Sequence, residues 1–184
     1  MTHFSNFRVA AIATDGVEEA ELLEPIKALL TSGAHVDILS LKPGQIRAFR
    51  HLEAAAHVDV DKTIETVRSS DYDGLLLPGG TVNADTLRVD PHVQDFAREF
   101  EDAGKPVAAI CHAPWILISA GLVRGRTLTS YHTIADDVRN AGGNWVDDAV
   151  VVDSNWVTSR QPSDIPRFNE AMLNLFEHAV ACHH

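Results

Sequence analysis

Cys111 and His112 are adjacent where an apolar segment gives way to a segment of helical character. Residues 106–110 carry no polar side chain and predict a buried strand, whereas residues 114–120 predict a helix that begins at once. A strand that turns sharply into a helix exposes the side chain between them above the sheet, as in a nucleophile elbow. A thiol in that place, beside an imidazole, predicts nucleophilic chemistry with His112 as a base or a cation. A packed, inert cysteine and a surface histidine fit the same residues.

An acidic segment near the N-terminus supplies candidate carboxyl groups. Five acidic residues and no Lys or Arg lie between positions 15 and 24. Most of them are explained as acidic residues that offset the positive end of a helix dipole. One or two, however, follow the first predicted strand and are therefore expected at the same sheet edge as Cys111. Glu18 and Glu21 are three positions apart and therefore share a helix face. Either one, if buried and protonated, would donate a hydrogen bond to the sulfur.

These groups predict the ionisation of the thiol. The predicted helix N-terminus stabilises a thiolate, so we expect the pKa of Cys111 to be lowered, and we expect Cys182 to be an ordinary thiol. A charged carboxylate would act in the opposite direction. The thiolate is therefore favoured only beside a protonated glutamate.

A pair of glycines follows another apolar run. Gly79 and Gly80 come after residues 74–77, where they allow a ligand to approach closely and leave N–H groups exposed. An oxyanion hole and a tight turn both fit this pattern. No phosphate site is expected, because no Walker sequence occurs and no G-x-G-x-x-G follows the first strand. His132 follows a predicted strand at 127–130, where it either reaches the same edge or is a satisfied histidine at a helix start.

The composition is that of one soluble domain, which we assign to residues 1–184. The 26 acidic and 15 basic side chains give a formal net charge of −11, which argues against partners such as nucleic acid or an anionic membrane surface. The N-terminus lacks a signal-peptide pattern and two cysteines form no disulfide framework, so a cytoplasmic location is expected. The ten histidines show no metal-binding spacing, and we expect no metal and no cofactor. Residues 182–184, Cys-His-His, are expected to be a tail.

Strands and helices alternate along the chain, which predicts an α/β fold with a doubly wound, mostly parallel sheet between helices. Ligand sites in such sheets form at the carboxyl ends of strands. Residues 14–19, 78–83 and 111–115 are the loops that qualify. Strands are predicted at 9–13, 36–40, 74–77, 106–110 (near the centre), 149–152 and 156–159, helices at 18–32, 91–103, 114–120, 133–141 and 164–181, and a hairpin or an excursion at 42–56.

The combination resembles the PfpI family of the ThiJ/PfpI superfamily. The resemblance is carried by residues 109–114 (Ala-Ile-Cys-His-Ala-Pro), 77–80 (Leu-Pro-Gly-Gly) and 16–22, and it extends over nearly the whole chain. It implies a flavodoxin-like sheet sandwich related to class I glutamine amidotransferases. It also implies a homodimer or a higher homo-oligomer with the site near a subunit interface.

The resemblance also implies roles for single residues. Cys111 matches the family nucleophile, His112 matches the histidine after it, Glu18 and Glu21 match acidic positions beside the thiol, and the Gly80 backbone matches an oxyanion donor. Two further positions correspond less closely to the family pattern. Asp85 lies about one residue from where some members supply an acid to a neighbouring subunit, and His132 falls where a sister branch has a second histidine. Ala113 replaces the usual glycine, and its methyl group is expected to narrow the pocket or to disturb the oxyanion geometry.

The resemblance implies several activities. Members of the family are intracellular proteases, glyoxalase-like or deglycase-like enzymes, and general stress proteins or chaperones. We expect a cytoplasmic stress-response protein with a reactive cysteine, acting as a hydrolase or as a glyoxalase-like or deglycase-like enzyme on a small carbonyl or peptide substrate. The alternatives are an intracellular cysteine peptidase and a redox sensor or holdase that works by oxidation of Cys111.

Overall fold

A computed structural model describes residues 4–181 of the chain. This part contains twelve strands and six α helices, with four single 3-10 turns between them. In chain order the strands are β1 (Arg8–Ile12), β2 (Val17–Glu18), β3 (His35–Ser40), β4 (Gln45–Arg50), β5 (Glu53–Asp59), β6 (Lys62–Thr63), β7 (Gly74–Leu77), β8 (Val107–Ile110), β9 (Thr127–Leu128), β10 (Asn144–Trp145), β11 (Val150–Asp153) and β12 (Trp156–Ser159).

Seven strands form the main sheet, in the order β11-β12-β8-β7-β1-β3-β6. All neighbours are parallel except β11 and β12, which form an antiparallel pair. Strands β7 and β8 are buried along their whole length, as their continuous apolar sequences predict for interior parallel strands. The predicted fold class, a mostly parallel sheet flanked by helices, is confirmed.

The helices cover both faces of this sheet. Alternate residues of β1, β7 and β8 face opposite sides and contribute to two separate apolar clusters. One cluster includes residues of α1 and α6, and the other includes residues of α3, α4 and α5. The helices are α1 (Glu19–Thr31), α2 (Thr81–Leu87), α3 (Pro91–Asp102), α4 (Pro114–Ser119), α5 (Ala135–Asn140) and α6 (Ile165–Ala181).

Several predicted elements differ from the structure in instructive ways. Residues 42–56 contain a hairpin, as one of the two expectations had it, and β2 joins it in a small three-stranded sheet. Residues 127–130 were predicted as a strand, but β9 covers only the first two and pairs with β10 outside the main sheet. Strand β12 is fully buried, because it pairs with β8 on one side and β11 on the other. Helix α2 was not predicted and begins directly after the two glycines.

Residues 4–181 contain no helix that combines the length and the apolar character needed to cross a membrane. The expected tail at 182–184 lies outside the described residues, as does Cys182.

Candidate active site

Cys111 occupies a strained turn between β8 and α4. Its backbone φ is 65°, which is in the left-handed region and costs a residue with a Cβ about 1–2 kcal/mol. Two hydrogen bonds hold it there: the Cys111 N–H donates to the carbonyl of Ser159 at 3.1 Å, and the Cys111 carbonyl accepts from the N–H of Tyr131 at 2.8 Å. Strand β12 and the loop after β9 thus fix the elbow, and they hold Cys111 where its side chain lines a cleft.

Gly79 and Gly80 pack against the elbow so closely that no side chain fits. A Cβ on Gly79 would lie 2.5 Å from the Cβ of Cys111 and closer still to Oε2 of Glu21. Gly80 has a φ of 95°, and a Cβ there would lie 2.7 Å from the backbone nitrogen of Glu18. The N–H groups of Gly80 and of His112 both point at the Cys111 sulfur. Backbone N–H groups beside a thiol are the kind of donor from which an oxyanion hole is built.

Asn83 joins two of the loops at this edge, and the sequence analysis did not single it out. Its side chain is completely buried on α2. Oδ1 accepts a hydrogen bond of 2.8 Å from the N–H of Thr14, while Nδ2 donates to the carbonyls of Pro78 and Gly79 at 3.1 and 3.0 Å. A buried amide that satisfies backbone groups on two loops fixes their relative position. The sequence feature that could have identified Asn83 is its place three positions after the glycine pair.

Glu21 is the glutamate that faces Cys111, which answers the question left open between Glu18 and Glu21. Its side chain is fully buried, and the polar groups facing it are the Cys111 thiol and the N–H of Gly79. Neither carboxyl oxygen completes a hydrogen bond of normal geometry. Burial, and to a smaller extent the nearby charge of Glu18, raises the pKa of Glu21 from 4.5 to about 8. Glu21 is therefore protonated at neutral pH and able to donate to the sulfur.

The expected lowering of the Cys111 pKa is wrong. Burial raises the pKa of the thiol, and a negative charge on Glu21 raises it further, whereas the N–H groups of Gly80 and His112 oppose the shift. Helix α4 has only six residues, so its dipole is short. The contribution from Glu21 is absent while Glu21 is protonated, but the desolvation remains. The resting site therefore holds a thiol that must lose its proton to a base.

His112 is placed to be that base. Its Nδ1 lies 3.2 Å from the Cys111 sulfur. Burial, followed by the positive charge of His132, lowers the pKa of His112, so the imidazole is neutral at neutral pH. Its Nε2 faces the hydroxyl groups of Thr81 at 3.4 Å and Thr133 at 3.5 Å. If Nε2 carries the proton and donates to a hydroxyl, Nδ1 is free to accept the thiol proton.

Aromatic rings hold the imidazole in place. The Tyr131 ring stacks on His112 with 4.9 Å between the ring centroids, and Trp115 meets it edge-on at 5.2 Å. The Nε1–H of Trp115 donates to Asp137 at 2.8 Å, which anchors that indole. These contacts restrict rotation of His112 away from the sulfur.

The cleft above Cys111 has a volume of about 790 Å³. Cys111, His112, Glu18, Glu21 and Gly80 line it together. The β4–β5 hairpin, which sequence reasoning did not connect with the site, supplies part of the wall. The remaining lining residues are Asp15, Gly16, Phe49, His51, Leu52, Thr81, Val82, Tyr131, Gln161, Pro162 and Ser163.

Four candidate residues are absent from the cleft lining: Gly79, which packs beneath Cys111, and Ala113, His132 and Asp85. The expectation that Ala113 narrows the pocket is wrong, because its methyl group is buried in the cluster with α3, α4 and α5. His132 is exposed and does not line the cleft, and its ring contacts that of Tyr131 at 4.6 Å between centroids. Asp85 is exposed on α2 and does not line the cleft. Within residues 4–181, no three His, Cys, Asp or Glu side chains are grouped so as to hold a metal ion.

These features define a class of protein: an α/β sandwich with a cysteine on a strand-to-helix turn, beside a buried glutamate and a glycine loop. The profile of the DJ-1/PfpI family matches residues 7–175, and the chain belongs to that family. The resemblance seen in the sequence is therefore confirmed.

Similar proteins include two bacterial relatives that match along nearly their whole length. The Bacillus subtilis protein named "Putative cysteine protease YraA" is 41% identical over 170 residues, covering 92% of this chain and 98% of that protein. "Protein/nucleic acid deglycase 2" of Escherichia coli is 41% identical over 169 residues, covering 91% and 96%. A crystal structure of a two-domain protein from Anabaena variabilis, with DJ-1/ThiJ/PfpI-like and ferritin-like domains, has a TM-score of 0.87 and 33% identity over 92% of this chain and 48% of that one. This chain thus spans about half of that two-domain protein.

Proposed function

We propose that this protein is a cysteine-dependent enzyme that converts small reactive carbonyl compounds, in the manner of a glyoxalase or a deglycase. The observation that carries the proposal is the distance of 3.2 Å between the Cys111 sulfur and Nδ1 of a neutral His112, in an open cleft. The relatives named as a deglycase and as a cysteine protease support an enzyme of this family.

The first step is addition of the thiol to an aldehyde. The Cys111 sulfur forms a bond to the aldehyde carbon, and the carbonyl electron pair moves to the oxygen. The proton of the thiol passes to Nδ1 of His112 and from there to that oxygen, giving a hemithioacetal. The N–H groups of Gly80 and His112 stabilise the negative charge that develops on the oxygen. Protonated Glu21 contributes a hydrogen bond to the sulfur rather than a second negative charge.

The remaining steps are an internal redox exchange and a hydrolysis. For an α-oxoaldehyde, His112 moves the proton of the former aldehyde carbon to the neighbouring carbon, so that the first carbon is oxidised and the second is reduced. The product of this shift is a thioester on Cys111. Water then cleaves the carbon–sulfur bond, giving a 2-hydroxy carboxylate and one proton and restoring the thiol. No external oxidant or reductant is needed.

The test is turnover of methylglyoxal to lactate by the full chain. We expect saturable turnover that is lost in Cys111→Ala and retained in Cys182→Ala, which removes the other cysteine. Mass spectrometry of the protein during turnover should show an adduct on Cys111. Absence of turnover in the wild type, with oxidation of Cys111 by peroxide, would favour the redox sensor or holdase instead. Turnover that survives Cys111→Ala would contradict the mechanism.

A peptidase is the second candidate. The same Cys111–His112 pair and the two backbone donors also suit attack on an amide, and one relative is named as a cysteine protease. Hydrolysis of fluorogenic peptides, measured in the same variants, distinguishes the two. A peptide kcat/KM that exceeds that for methylglyoxal would favour the peptidase.

We also propose a setting and an assembly for this enzyme. Removal of reactive carbonyls suits a stress response in the cytoplasm, and the family resemblance implies a homodimer or a larger oligomer. Sedimentation at micromolar concentration tests the assembly. A species of about 20 kDa alone would contradict it.

A further inference from the structure

The cleft has an uneven charge. Three carboxyl groups line it: Asp15 is exposed, Glu18 is half-buried and Glu21 is fully buried. No Lys or Arg is found in its lining within residues 4–181. Glu21 is buried and protonated at neutral pH, whereas Asp15 and Glu18 are carboxylates in contact with water, each with a formal negative charge. The outer part of the cleft is thus anionic.

The two outer carboxylates are fixed rather than free. Oδ1 of Asp15 accepts a hydrogen bond of 2.7 Å from the N–H of Arg47, and Oε2 of Glu18 accepts one of 3.0 Å from the N–H of His51. Both bonds tie the segment between β1 and α1 to the β4–β5 hairpin, so the charges stay at the cleft. A fixed charge discriminates between substrates more strongly than a mobile one, because no reorganisation weakens it.

Nearby arginines do not neutralise this charge. Arg50 pairs with Glu19 at 2.8 Å. The guanidinium of Arg47 contacts the ring of His57, away from the cleft lining. Arg160 precedes the lining residue Gln161, and it pairs with Asp164 and Asp147, each at 2.9 Å. The cations closest in sequence to the cleft wall are thus engaged elsewhere.

We propose that Asp15 and Glu18 select against negatively charged ligands at Cys111, so that neutral and cationic carbonyl compounds enter while anionic carbonyl compounds are excluded. The chemistry of the site gives this selection a second consequence. A neutral α-oxoaldehyde becomes a 2-hydroxy carboxylate, so the product acquires the charge that the cleft repels. Release of product is then favoured, and inhibition by 2-hydroxy carboxylates is weak. This inference refines the proposed function and rests on it for the carbonyl substrates.

The charge selection is tested first without turnover. Three methanethiosulfonate reagents with the same reactive group carry a 2-aminoethyl cation, a neutral 2-hydroxyethyl group or a 2-sulfonatoethyl anion. Their rates with Cys111 are measured in a Cys182→Ser background and divided by their rates with free cysteine. We expect the order cation, neutral, anion at low salt. Glu18→Gln, and likewise Asp15→Asn, should lower the cation-to-anion ratio about three- to tenfold, the range that one charge several ångströms away gives in a partly wet site.

Matched controls separate the cleft from the overall charge. Glu24→Gln removes a charge from an exposed position of α1 and should leave the ratio unchanged. The glutamine in Glu18→Gln keeps an oxygen that accepts from His51, so the hairpin contact is retained. A wild-type ratio equal to that of free cysteine would overturn the proposal, as would a ratio that Glu24→Gln changes as much as Glu18→Gln does.

Turnover provides the second measurement. The substrates 4,5-dioxopentanoate and its methyl ester are both α-oxoaldehydes and differ in one charged group. We expect kcat/KM to be at least about tenfold lower for the anion, with the gap narrowing in Glu18→Gln. Glycolate should inhibit the wild type more weakly than it inhibits Glu18→Gln. Turnover of both substrates at equal rates would overturn the inference and leave the proposed function standing. Charge-selective labelling without any turnover would support the selection and contradict the proposed function.

Discussion

The side chain of Asn83 accepts a 2.8 Å hydrogen bond from the backbone N–H of Thr14, 69 positions earlier in the chain. With its two bonds to the glycine loop, Asn83 holds two of the three loops that form the site in register. Because Asn83 is fully buried, no water replaces these partners if the amide is removed.

We therefore expect Asn83→Ala to reduce both stability and activity. Loss of the amide leaves the N–H of Thr14 and the carbonyl of Pro78 without this partner, while the carbonyl of Gly79 still accepts from the N–H of Glu18. The free energy of unfolding should fall by on the order of 3 kcal/mol. Urea unfolding measures the loss, and kcat/KM measures the effect on the site. Asn144→Ala, at an exposed position with one hydrogen bond of 3.3 Å, is the control and should change stability by less than about 0.5 kcal/mol. Equal effects of the two variants would contradict this account.

The buried carboxyl group of Glu21 predicts a dependence of stability on pH. Its pKa is raised from 4.5 to about 8 in the folded protein, so the folded state binds more protons than the unfolded state between these values. The free energy of unfolding should thus fall as the pH rises from about 4.5 to 8, by on the order of 5 kcal/mol, and show no further contribution from Glu21 above that range. Urea unfolding of the wild type and of Glu21→Gln at pH 5, 7 and 9 measures it.

Glu21→Gln should abolish this decline, since an amide does not titrate, and it keeps a hydrogen-bond donor beside the sulfur. Glu24→Gln, on the exposed side of the same helix, should leave the decline intact. Glu21→Asp withdraws the carboxyl group and should weaken its contact with Cys111. If Glu21→Gln and the wild type lose stability in parallel, Glu21 is ionised in the folded state and the assignment fails.

Sequence reasoning found the elbow because its signal is local. An apolar strand is followed at once by a helix start, so Cys111 between them must lie in the connecting turn above the sheet. Helix α2 has no such signal, since Thr, Val, Asn and Asp are weak helix formers and the Asn83 side chain bonds to the preceding loop. The sign of the Cys111 pKa shift also depends on packing. The sequence contains the short helix and the histidine, but not the degree of burial that outweighs them.

Titration of the Cys111 thiol tests directly whether burial outweighs the helix and the histidine. In a Cys182→Ser background, which leaves one cysteine, absorbance at the thiolate band should stay absent up to the usual range of a free thiol, about pH 8.5. A Cys111→Ser variant gives the baseline. The resting thiol should therefore react slowly with iodoacetamide at pH 7. A substrate should react faster than iodoacetamide, because His112 takes the thiol proton as the substrate is attacked. A thiolate titrating below pH 7 would show that the N–H groups of Gly80 and His112 outweigh desolvation.

The hydroxyl group of Thr81 should set the tautomer of His112. Nε2 of the imidazole lies 3.4 Å from Oγ1 of Thr81 and 3.5 Å from Oγ1 of Thr133. If these hydroxyls accept from Nε2–H, Nδ1 keeps the lone pair that takes the thiol proton. Thr81→Val keeps the shape and removes the acceptor, so kcat should fall by about two- to tenfold, the value of one neutral hydrogen bond, with KM unchanged.

The Thr133→Val variant should have a similar effect. The double variant should have a larger one, because neither hydroxyl is then present to accept from Nε2–H. Thr81→Ser restores the hydroxyl and should recover kcat, which a purely structural role of the methyl group would not allow. Thr86→Val, on the exposed side of the same short helix, is the control. The readout is kcat against pH together with the chemical shifts of the imidazole nitrogens. A double variant with wild-type kcat and an unchanged tautomer would show that His112 is oriented by the rings of Tyr131 and Trp115 alone.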